Sequence, residues 1–475
     1  MTAAAGSGPT PGGPLIDLGE VGGPRRPAAP DADPDAAPPP RRLRGAGLLL
    51  AAALAGLAGG AAAAPTGPAL TESTVPRERA DRVYAVDDAL YLIGGWPGDP
   101  PTRVTARGLP DGAPRWHAVL PDVPRVTWVF RRAGVLLLLV QPDPPEADVQ
   151  ALDADTGAAL WRRPGALLGY AEGPGGATLG VLRTPASAPS PAEVTVTAVE
   201  LRSGAVAWSL RAPAESAVEV GFADADADVP GSRGGAAAPP RDPAGLDGRT
   251  LSRVVVGLPT GRVEIHDPGD GRLVGSLSPP PRRGGLPAWL AVSGDLALVQ
   301  EPGDPAVVAG YDLGRRTRRW AVPWDAQPLG AAGLAAHACG PLICLARPDR
   351  TRVALDGATG TTRWTGRWHW LEPVAGQLVG AREPGGELAV VDPASGAVRR
   401  QLGGWRLFSA PPVGEAIFVW TDPPRSRTWL GRLDPGTGRV VVLGRTENLL
   451  FECHPGRDSV VCRRADGSLG IWRYR

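Results

Sequence analysis

The sequence predicts an all-β fold built from many short strands, and both its composition and a repeated turn phrase point to it. Gly and Pro are frequent, with 65 and 54 residues in a chain of 475, yet the chain also has 15 Trp and many runs of Val and Leu. Glycine and proline mark turns, so this mixture is typical of short apolar strands separated by tight turns. The apolar residues follow a period of two, which excludes a helical solenoid with its period of 3.6.

The turn phrase returns about every 40 residues. In its two best copies, an Asp ends an apolar run, a Thr and a Gly follow, and a Trp stands four residues after the Gly. The Asp carboxylate can cap its own turn, and Gly supplies the positive φ of a tight hairpin. The residues that define these copies are Asp153, Thr156, Gly157 and Trp161, and Asp356, Thr359, Gly360 and Trp364. The glycine position is held by Gly112, Gly157, Gly204, Gly271, Gly360, Gly396 and Gly438, and in one copy by Arg316.

Another pair of short apolar runs precedes each phrase, so one period holds about four strands. Four strands per period of this length indicate a β-propeller, with the recurring Trp between neighbouring blades. Eight turn phrases favour eight blades, with seven as the alternative. The propeller is expected over residues 81–475, its two termini sharing a blade, with an inserted loop at 222–248.

The D-x-x-[TS]-G-x-x-x-W phrase resembles the repeat of pyrroloquinoline-quinone-like (PQQ-like) propellers over residues 82–475. That group includes quinoprotein dehydrogenases and a non-enzymatic outer-membrane assembly lipoprotein. The chain departs from the pattern at Gly275, Arg400 and Val442, where Trp is replaced. The layout also resembles single-pass membrane propellers of high-GC Gram-positive bacteria, including their LIDLGEV-type tail.

The N-terminal part suggests a membrane anchor. Residues 1–40 have a disordered composition, although the apolar segment 14–21 (PLIDLGEV) is either a chance cluster or a short peptide that docks to a cytoplasmic partner. Three arginines at 41–44 precede 20 uncharged residues at 45–64. We expect 41–64 to be a transmembrane signal anchor with its N-terminus in the cytoplasm and the propeller outside the cell, after a linker at 65–80. The alternative is a cleaved signal peptide and a secreted protein.

The four cysteines form two local pairs within apparent hairpins of single blades. We expect disulfides between Cys339 and Cys344 and between Cys453 and Cys462, consistent with an oxidising exterior. Their spacings are poor for zinc, and the five histidines are scattered. No metal site is therefore predicted.

Nothing in the sequence predicts catalysis or a cofactor. Quinoprotein dehydrogenases require a calcium site and usually a vicinal Cys–Cys disulfide, and no two cysteines here are adjacent. The acidic run 224–228 (DADAD) lacks the Gly and Glu of a calcium loop. The densest aromatic patch is 368–370 (WHW) with Trp364 and Trp405, interpreted mainly as core and otherwise as a rim that binds a sugar or peptide.

The sequence therefore predicts a non-catalytic, membrane-tethered extracellular propeller, monomeric, that binds a protein or cell-envelope partner. The balance of 50 basic and 49 acidic residues gives no basic field for nucleic acid. The alternative is an extracellular propeller enzyme, dehydrogenase-like or sugar-active. A cluster of inward-facing carboxylates with a bound metal would distinguish that enzyme from a scaffold.

Overall fold

The computed structural model describes a ring of antiparallel sheets. Within the described residues there are nine sheets, each with four strands in sequential order. The described residues are 67, 70–76, 80, 82–95, 101–140, 147–184, 193–223, 250–280, 290–303, 305–324, 336–339, 342–347, 349–374, 377–409, 417–434, 436–456 and 458–474.

The strands are short, as the turn spacing predicts, and the described part of the chain also has two single 3₁₀ turns, at Pro174–Gly176 and Pro423–Arg425. The strands are β1 (Glu72–Val75), β2 (Arg82–Val86), β3 (Ala89–Gly94), β4 (Thr102–Gly108), β5 (Pro114–Leu120), β6 (Val126–Arg132), β7 (Val135–Val140), β8 (Asp148–Asp153), β9 (Ala159–Pro164), β10 (Ala166–Glu172), β11 (Thr178–Thr184), β12 (Glu193–Glu200), β13 (Val206–Pro213), β14 (Ala217–Phe222), β15 (Leu251–Gly257), β16 (Val263–His266), β17 (Leu273–Leu277), β18 (Leu290–Ser293), β19 (Leu296–Glu301), β20 (Val307–Asp312), β21 (Thr317–Pro323), β22 (Ala336–Cys339), β23 (Leu342–Ala346), β24 (Thr351–Asp356), β25 (Thr362–Arg367), β26 (Trp370–Val374), β27 (Gln377–Ala381), β28 (Ala389–Val391), β29 (Val398–Gln401), β30 (Arg406–Ser409), β31 (Ile417–Asp422), β32 (Arg427–Asp434), β33 (Arg439–Thr446), β34 (Leu450–Pro455), β35 (Ser459–Arg464) and β36 (Leu469–Arg473).

Each sheet is one blade of a β-propeller. Blade 1 is β2–β5, each following blade takes the next four strands up to blade 8 (β30–β33), and blade 9 consists of β34–β36 together with β1. The first strands of neighbouring blades contact each other, for example β2 with β6 and β2 with β34. We call these first strands the inner strands, and the fourth strands the outer strands.

The hydrophobic core is divided among the blade junctions. The described residues form nine buried apolar clusters, and each cluster joins two neighbouring blades, including blade 9 to blade 1. A blade buries its two faces only against its neighbours, so the closed ring is the unit that makes the fold stable.

The expected count of eight blades is wrong, because the described residues form nine. Each turn phrase joins the third and fourth strands of one blade. In blade 9 the third strand is β36 and the fourth is β1, from the opposite end of the chain, so no turn phrase joins them. Counting phrases therefore gives one blade too few.

The expected linker at 65–80 contains this closing strand. β1 pairs antiparallel with β36, from Glu72 opposite Trp472 to Val75 opposite Leu469. Arg464 forms an ion pair with Glu72, and the buried Val75 packs against the turn of blade 1. The termini do share a blade, as expected, because a three-stranded blade would leave the edge of β36 unpaired.

The recurring Trp docks on the turn of the next blade. At five junctions its Nε1–H donates to the carbonyl of the residue that follows the capping acid, at 2.7–3.1 Å. The five bonds are Trp116 to Ala154, Trp161 to Leu201, Trp208 to Pro268, Trp320 to Gly357 and Trp364 to Pro393. The indole lies on the turn glycine, so a Cβ on Gly157 would come closer than 3.0 Å to the Trp116 ring. Gly157 also has φ of 74°, so both constraints select glycine.

The junction between blades 4 and 5 exchanges the two partners. Gly275 replaces the Trp, and Arg316, with φ of 61°, replaces the turn glycine. A Cβ on Gly275 would lie 2.6 Å from Cδ of Arg316, so the arginine side chain fills the space that an indole occupies elsewhere. The departure from the repeat is thus a compensated exchange of a large and a small residue.

The capping acids hold the turns as the sequence predicts. Asp153 Oδ1 accepts hydrogen bonds from the backbone N–H of Asp155 at 3.1 Å and of Thr156 at 3.0 Å, and from the Thr156 hydroxyl at 2.9 Å. Asp356 accepts from the backbone N–H groups of Ala358 and Thr359, each at 3.0 Å. These bonds satisfy donors that the tight turn leaves without a strand partner.

Both expected disulfides are present, and each lies in the first hairpin of a blade. Cys339 on β22 is bonded to Cys344 on β23, with a Cα–Cα distance of 5.7 Å. Cys453 on β34 is bonded to Cys462 on β35, directly opposite, with a Cα–Cα distance of 4.0 Å. All four cysteines are buried.

Several predictions concern residues outside the described part of the chain. These are the tail at 1–40 with its 14–21 segment, the anchor at 41–64 and the acidic run 224–228. The expected insertion at 222–248 begins at the last residue of β14 and falls before β15, and its residues 224–248 are likewise outside. Among the described residues, no helix is both long and apolar enough to span a membrane.

The Trp–glycine contact predicts a specific cost for adding a Cβ. Gly157→Ala should lower the free energy of unfolding by about 3 kcal/mol, because the methyl group combines positive-φ strain with a clash against Trp116. Gly385 has φ of 69° and nothing within 4 Å of its Cβ position, so Gly385→Ala should cost only about 1 kcal/mol. Chemical denaturation measures both. Equal losses in the two variants would contradict the docking contact.

The turn carboxylates predict acid sensitivity. The ion pair with Arg363 lowers the pKa of Asp356 from 3.8 to about 2, and backbone N–H groups lower the pKa of Asp312 and Asp434. Because the folded pKa lies below the unfolded value, the stabilisation exists above pH 3.8 and disappears as the pH falls towards about 2. Melting temperatures from pH 7 to pH 2 should show this loss. Asp356→Asn should melt below the wild type at pH 7 and approach it at pH 2; a gap independent of pH would refute this role.

Candidate functional site

The structure places the repeat residues at blade junctions, where they stabilise the ring. Asp153, Thr156, Gly157 and Trp161 belong to blade 2, and Asp356, Thr359, Gly360 and Trp364 belong to blade 6. Within the aromatic patch, Trp364 and Trp368 are buried in the cluster between blades 6 and 7. Trp370 and Trp405 pack against the next cluster and stay half-buried. No group of metal-ligating side chains suited to an ion occurs among the described residues.

A different set of residues stands out on the inner strands. Among the described residues, six large apolar side chains are exposed, and five of them lie on outer strands. The sixth, Phe451, is on the inner strand β34 of blade 9 and is 50 % exposed. Phe451 is therefore unusual. The other large apolar side chains described on the inner strands are buried or half-buried at the blade junctions, whereas its ring is exposed.

The backbone at Phe451 is irregular. The pairing of β34 with β35 shifts register between Phe451 and Cys453, which forms a β-bulge at Glu452. Glu452 has φ of 46°, a conformation that is strained for a residue with a side chain. The Cys453–Cys462 disulfide follows directly and fixes this end of the hairpin. Bulges redirect side chains, and strained residues gather at functional sites.

Two basic side chains face Glu452. Its carboxylate accepts a hydrogen bond from Nε of Arg463 at 3.0 Å and lies 3.9 Å from Nε2 of His454. Burial raises the pKa of Glu452, but the interactions with His454 and Arg463 outweigh burial, and the pKa lies below its usual value. Arg463 also donates to the carbonyl of Ala80 at 3.3 Å, at the entry to blade 1. The carboxylate is therefore ionised and held in place at neutral pH.

Aromatic rings continue from this point across the inner strands of three blades. The Tyr84 ring on β2 lies 6.1 Å from the His454 ring on β34 and 6.1 Å from the Trp128 ring on β6. The Tyr84 hydroxyl donates to the carbonyl of Thr127 at 2.5 Å, and burial raises its pKa. We call Phe451, Glu452, His454, Tyr84 and Trp128 the inner-strand cluster.

The inner-strand cluster has the chemistry of a recognition surface. It combines the exposed ring of Phe451, the half-buried rings of Trp128 and His454, the buried ring of Tyr84 and an oriented carboxylate, a mixture suited to binding a polypeptide segment. It contains no nucleophile with an adjacent base. The sequence does not predict the inner-strand cluster, because Tyr84 and Phe451 are separated by most of the chain and belong to no common motif.

The geometry defines the class of protein as a β-propeller, and one family model matches part of the chain. A family model described as outer membrane protein assembly factor BamB matches residues 259–406. This match, together with the ring of four-stranded blades, supports a PQQ-like propeller. No curated protein sequence matches the chain.

Solved structures of low similarity also match. BamB from Moraxella catarrhalis is 15 % identical, with 85 % of this chain and 98 % of that chain covered, at a TM-score of 0.36. The C-terminal WD40 domain of Sif2 is 9 % identical, with 86 % and 100 % covered, at a TM-score of 0.41. The computationally designed Ika8 protein is 12 % identical, with 86 % and 100 % covered, at a TM-score of 0.36.

Two tyrosines provide a test of the contact between blades 1 and 2. Tyr84→Phe should lower the free energy of unfolding by about 1 kcal/mol, because it removes the hydroxyl that donates to Thr127. The buried hydroxyl of Tyr91 has no hydrogen-bond partner within the described part of the chain, so Tyr91→Phe should leave stability unchanged or raise it. Urea denaturation compares the two. A larger loss for Tyr91→Phe would contradict the assignment.

Proposed function

We propose that this protein is a non-catalytic scaffold that binds a protein partner through the inner-strand cluster. The exposed Phe451 at a strained bulge is the observation that carries the proposal. Exposed aromatic residues beside oriented charges are frequent energetic centres of protein interfaces. The closed ring supports this role because it holds the cluster rigid, so binding costs little ordering of the chain.

The proposal includes attachment to the membrane with the propeller outside the cell. The uncharged segment 45–64 behind three arginines supports the anchor and its orientation. The two disulfides support an oxidising compartment. Protease treatment of intact cells should degrade the propeller and spare an N-terminal tag. A propeller protected until the cells are lysed would refute this orientation.

Site-specific crosslinking tests the binding surface. A photo-reactive phenylalanine analogue at position 451 of the full chain, expressed in its own cells, should give one discrete protein adduct. The same analogue at position 441 is the matched control, because Val441 is 42 % exposed on the outer strand β33. An adduct at both positions, or at neither, would refute a site centred on Phe451.

The adduct identifies the partner for a quantitative test. Phe451→Ser should weaken binding of the purified partner at least about tenfold, since it removes the exposed ring. Val441→Ser also replaces an exposed apolar side chain with a hydroxyl, but on the outer strand, and should leave affinity unchanged. Equal affinities for both variants would show that Phe451 is not an energetic centre of the interface.

A further inference from the structure

Three exposed arginines lie together at one end of blades 6 and 7, away from the inner-strand cluster. Arg350 directly precedes β24, Arg367 ends β25 and Arg382 directly follows β27. The turn phrase of blade 6 is at the opposite end of these strands, where β24 ends and β25 begins. We call Arg350, Arg367 and Arg382 the arginine triad.

The buried indole of Trp368 brings the arginine triad together. Arg367 precedes Trp368 in the chain, and the backbone N–H of Trp368 donates to the carbonyl of Arg350 at 3.1 Å. The guanidinium carbon of Arg382 lies 5.3 Å from the centre of the indole ring. The negative face of an indole attracts a cation placed over it. Three separate elements therefore carry exposed guanidinium groups around one ring.

Arg350 has a strained backbone conformation. Its φ is 68°, in the left-handed region that favours glycine. Its N–H donates to the carbonyl of Arg347 at 3.1 Å, which closes a tight turn between β23 and β24. Glycine would form this turn without strain, and strained residues gather at functional sites. The conformation therefore points to a role for the arginine side chain.

The acid closest to the triad in the turn is occupied by its own backbone. Oδ1 of Asp349 accepts from the backbone N–H of Thr351, and Oδ2 accepts from the Thr351 hydroxyl, each at 2.8 Å. These bonds lower the pKa of Asp349, and the charges of Arg347 and Arg367 lower it further. Asp349 therefore shapes the turn and forms no ion pair with the triad.

The triad has a surplus of positive charge. None of its three arginines forms an ion pair within the described part of the chain, although Glu383 and Glu387 are exposed in the hairpin that follows Arg382. At the opposite end of the same blades, Arg363 bonds Asp356 at 2.6 Å. Strand β25 thus carries a paired arginine near its start and, among the described residues, an unpaired one at its end.

The arrangement of the triad suits a tetrahedral anion. One guanidinium satisfies a planar carboxylate, as Arg319 does for Asp312 through two donors at 2.6 and 3.0 Å. A phosphate group presents at least three oxygens in different directions, so it can accept from guanidinium groups that approach from different sides. We propose that the arginine triad is a binding site for the phosphate group of a phosphate ester, either a lipid headgroup or a soluble ester.

Isothermal titration calorimetry of the full chain in neutral detergent micelles at pH 7 tests the proposal. Glycerol 3-phosphate is the probe, and acetate is the control for a planar carboxylate. Glycerol 3-phosphate should give a saturable heat, and acetate should give none.

Variants on one strand separate the triad from general charge effects. Arg367→Gln should weaken binding of glycerol 3-phosphate about tenfold, because it removes one guanidinium from the site. Arg363→Gln removes the same charge from the other end of β25 and should bind as the wild type does. Arg350→Gly removes a guanidinium and keeps the left-handed turn, so it should weaken binding without lowering the melting temperature.

Lipid competition distinguishes the two sources of phosphate. If phosphatidylglycerol in the micelles removes the heat of glycerol 3-phosphate, the site takes lipid headgroups. If the heat remains, the ligand is a soluble ester. Phe451→Ser should leave the affinity for glycerol 3-phosphate unchanged, so this site and the inner-strand cluster can fail separately.

Three results would overturn the proposal. They are no saturable heat with glycerol 3-phosphate, an equal heat with acetate, and equal weakening in Arg363→Gln and Arg367→Gln.

Discussion

The contact between an indole and the turn glycine of the next blade is the interaction on which the ring depends. A blade of four short strands cannot bury two apolar faces by itself, so its stability comes from its neighbours. The indole covers the turn, donates to its carbonyl and fixes the distance between two blades, as Trp161 does on Gly204. The capping acid and the glycine shape the turn that receives it. One contact thus links turn chemistry to the closure of the whole ring.

At junctions that lack this contact, other residues fill the space between the blades. The inner-strand cluster lies at one of these junctions. Between blades 4 and 5, Arg316 fills the space left by Gly275. Between blades 9 and 1, Val75 of the closing strand packs on Gly112, and the inner-strand cluster crosses the same junction. Between blades 7 and 8, Arg400 replaces the Trp, and Trp405 packs against the core that the two blades share.

Much of the fold was predictable, because its determinants are local. The acid, Gly157 and Trp161 lie within nine positions of the chain, and each acts on its own turn or on the next blade. The disulfides were predictable for the same reason, since each closes a single hairpin. The blade count was not, because β1 belongs to blade 9 through pairing with β36 at the other end of the chain. A four-residue strand without a turn phrase gives no periodic signal.

The sequence by itself determined the class of fold, the turns, the disulfides and the residues that join the blades, because these depend on short-range backbone conformation and a repeated packing contact. Only the tertiary structure decided the ninth blade, the inner-strand cluster and the burial of Trp429. Tyr84 and His454 become neighbours when the ring closes, and the Trp429 N–H lacks a partner among the described residues because of what surrounds it after folding. Proximity of residues distant in sequence, and the absence of a partner inside a packed junction, are properties of the closed ring.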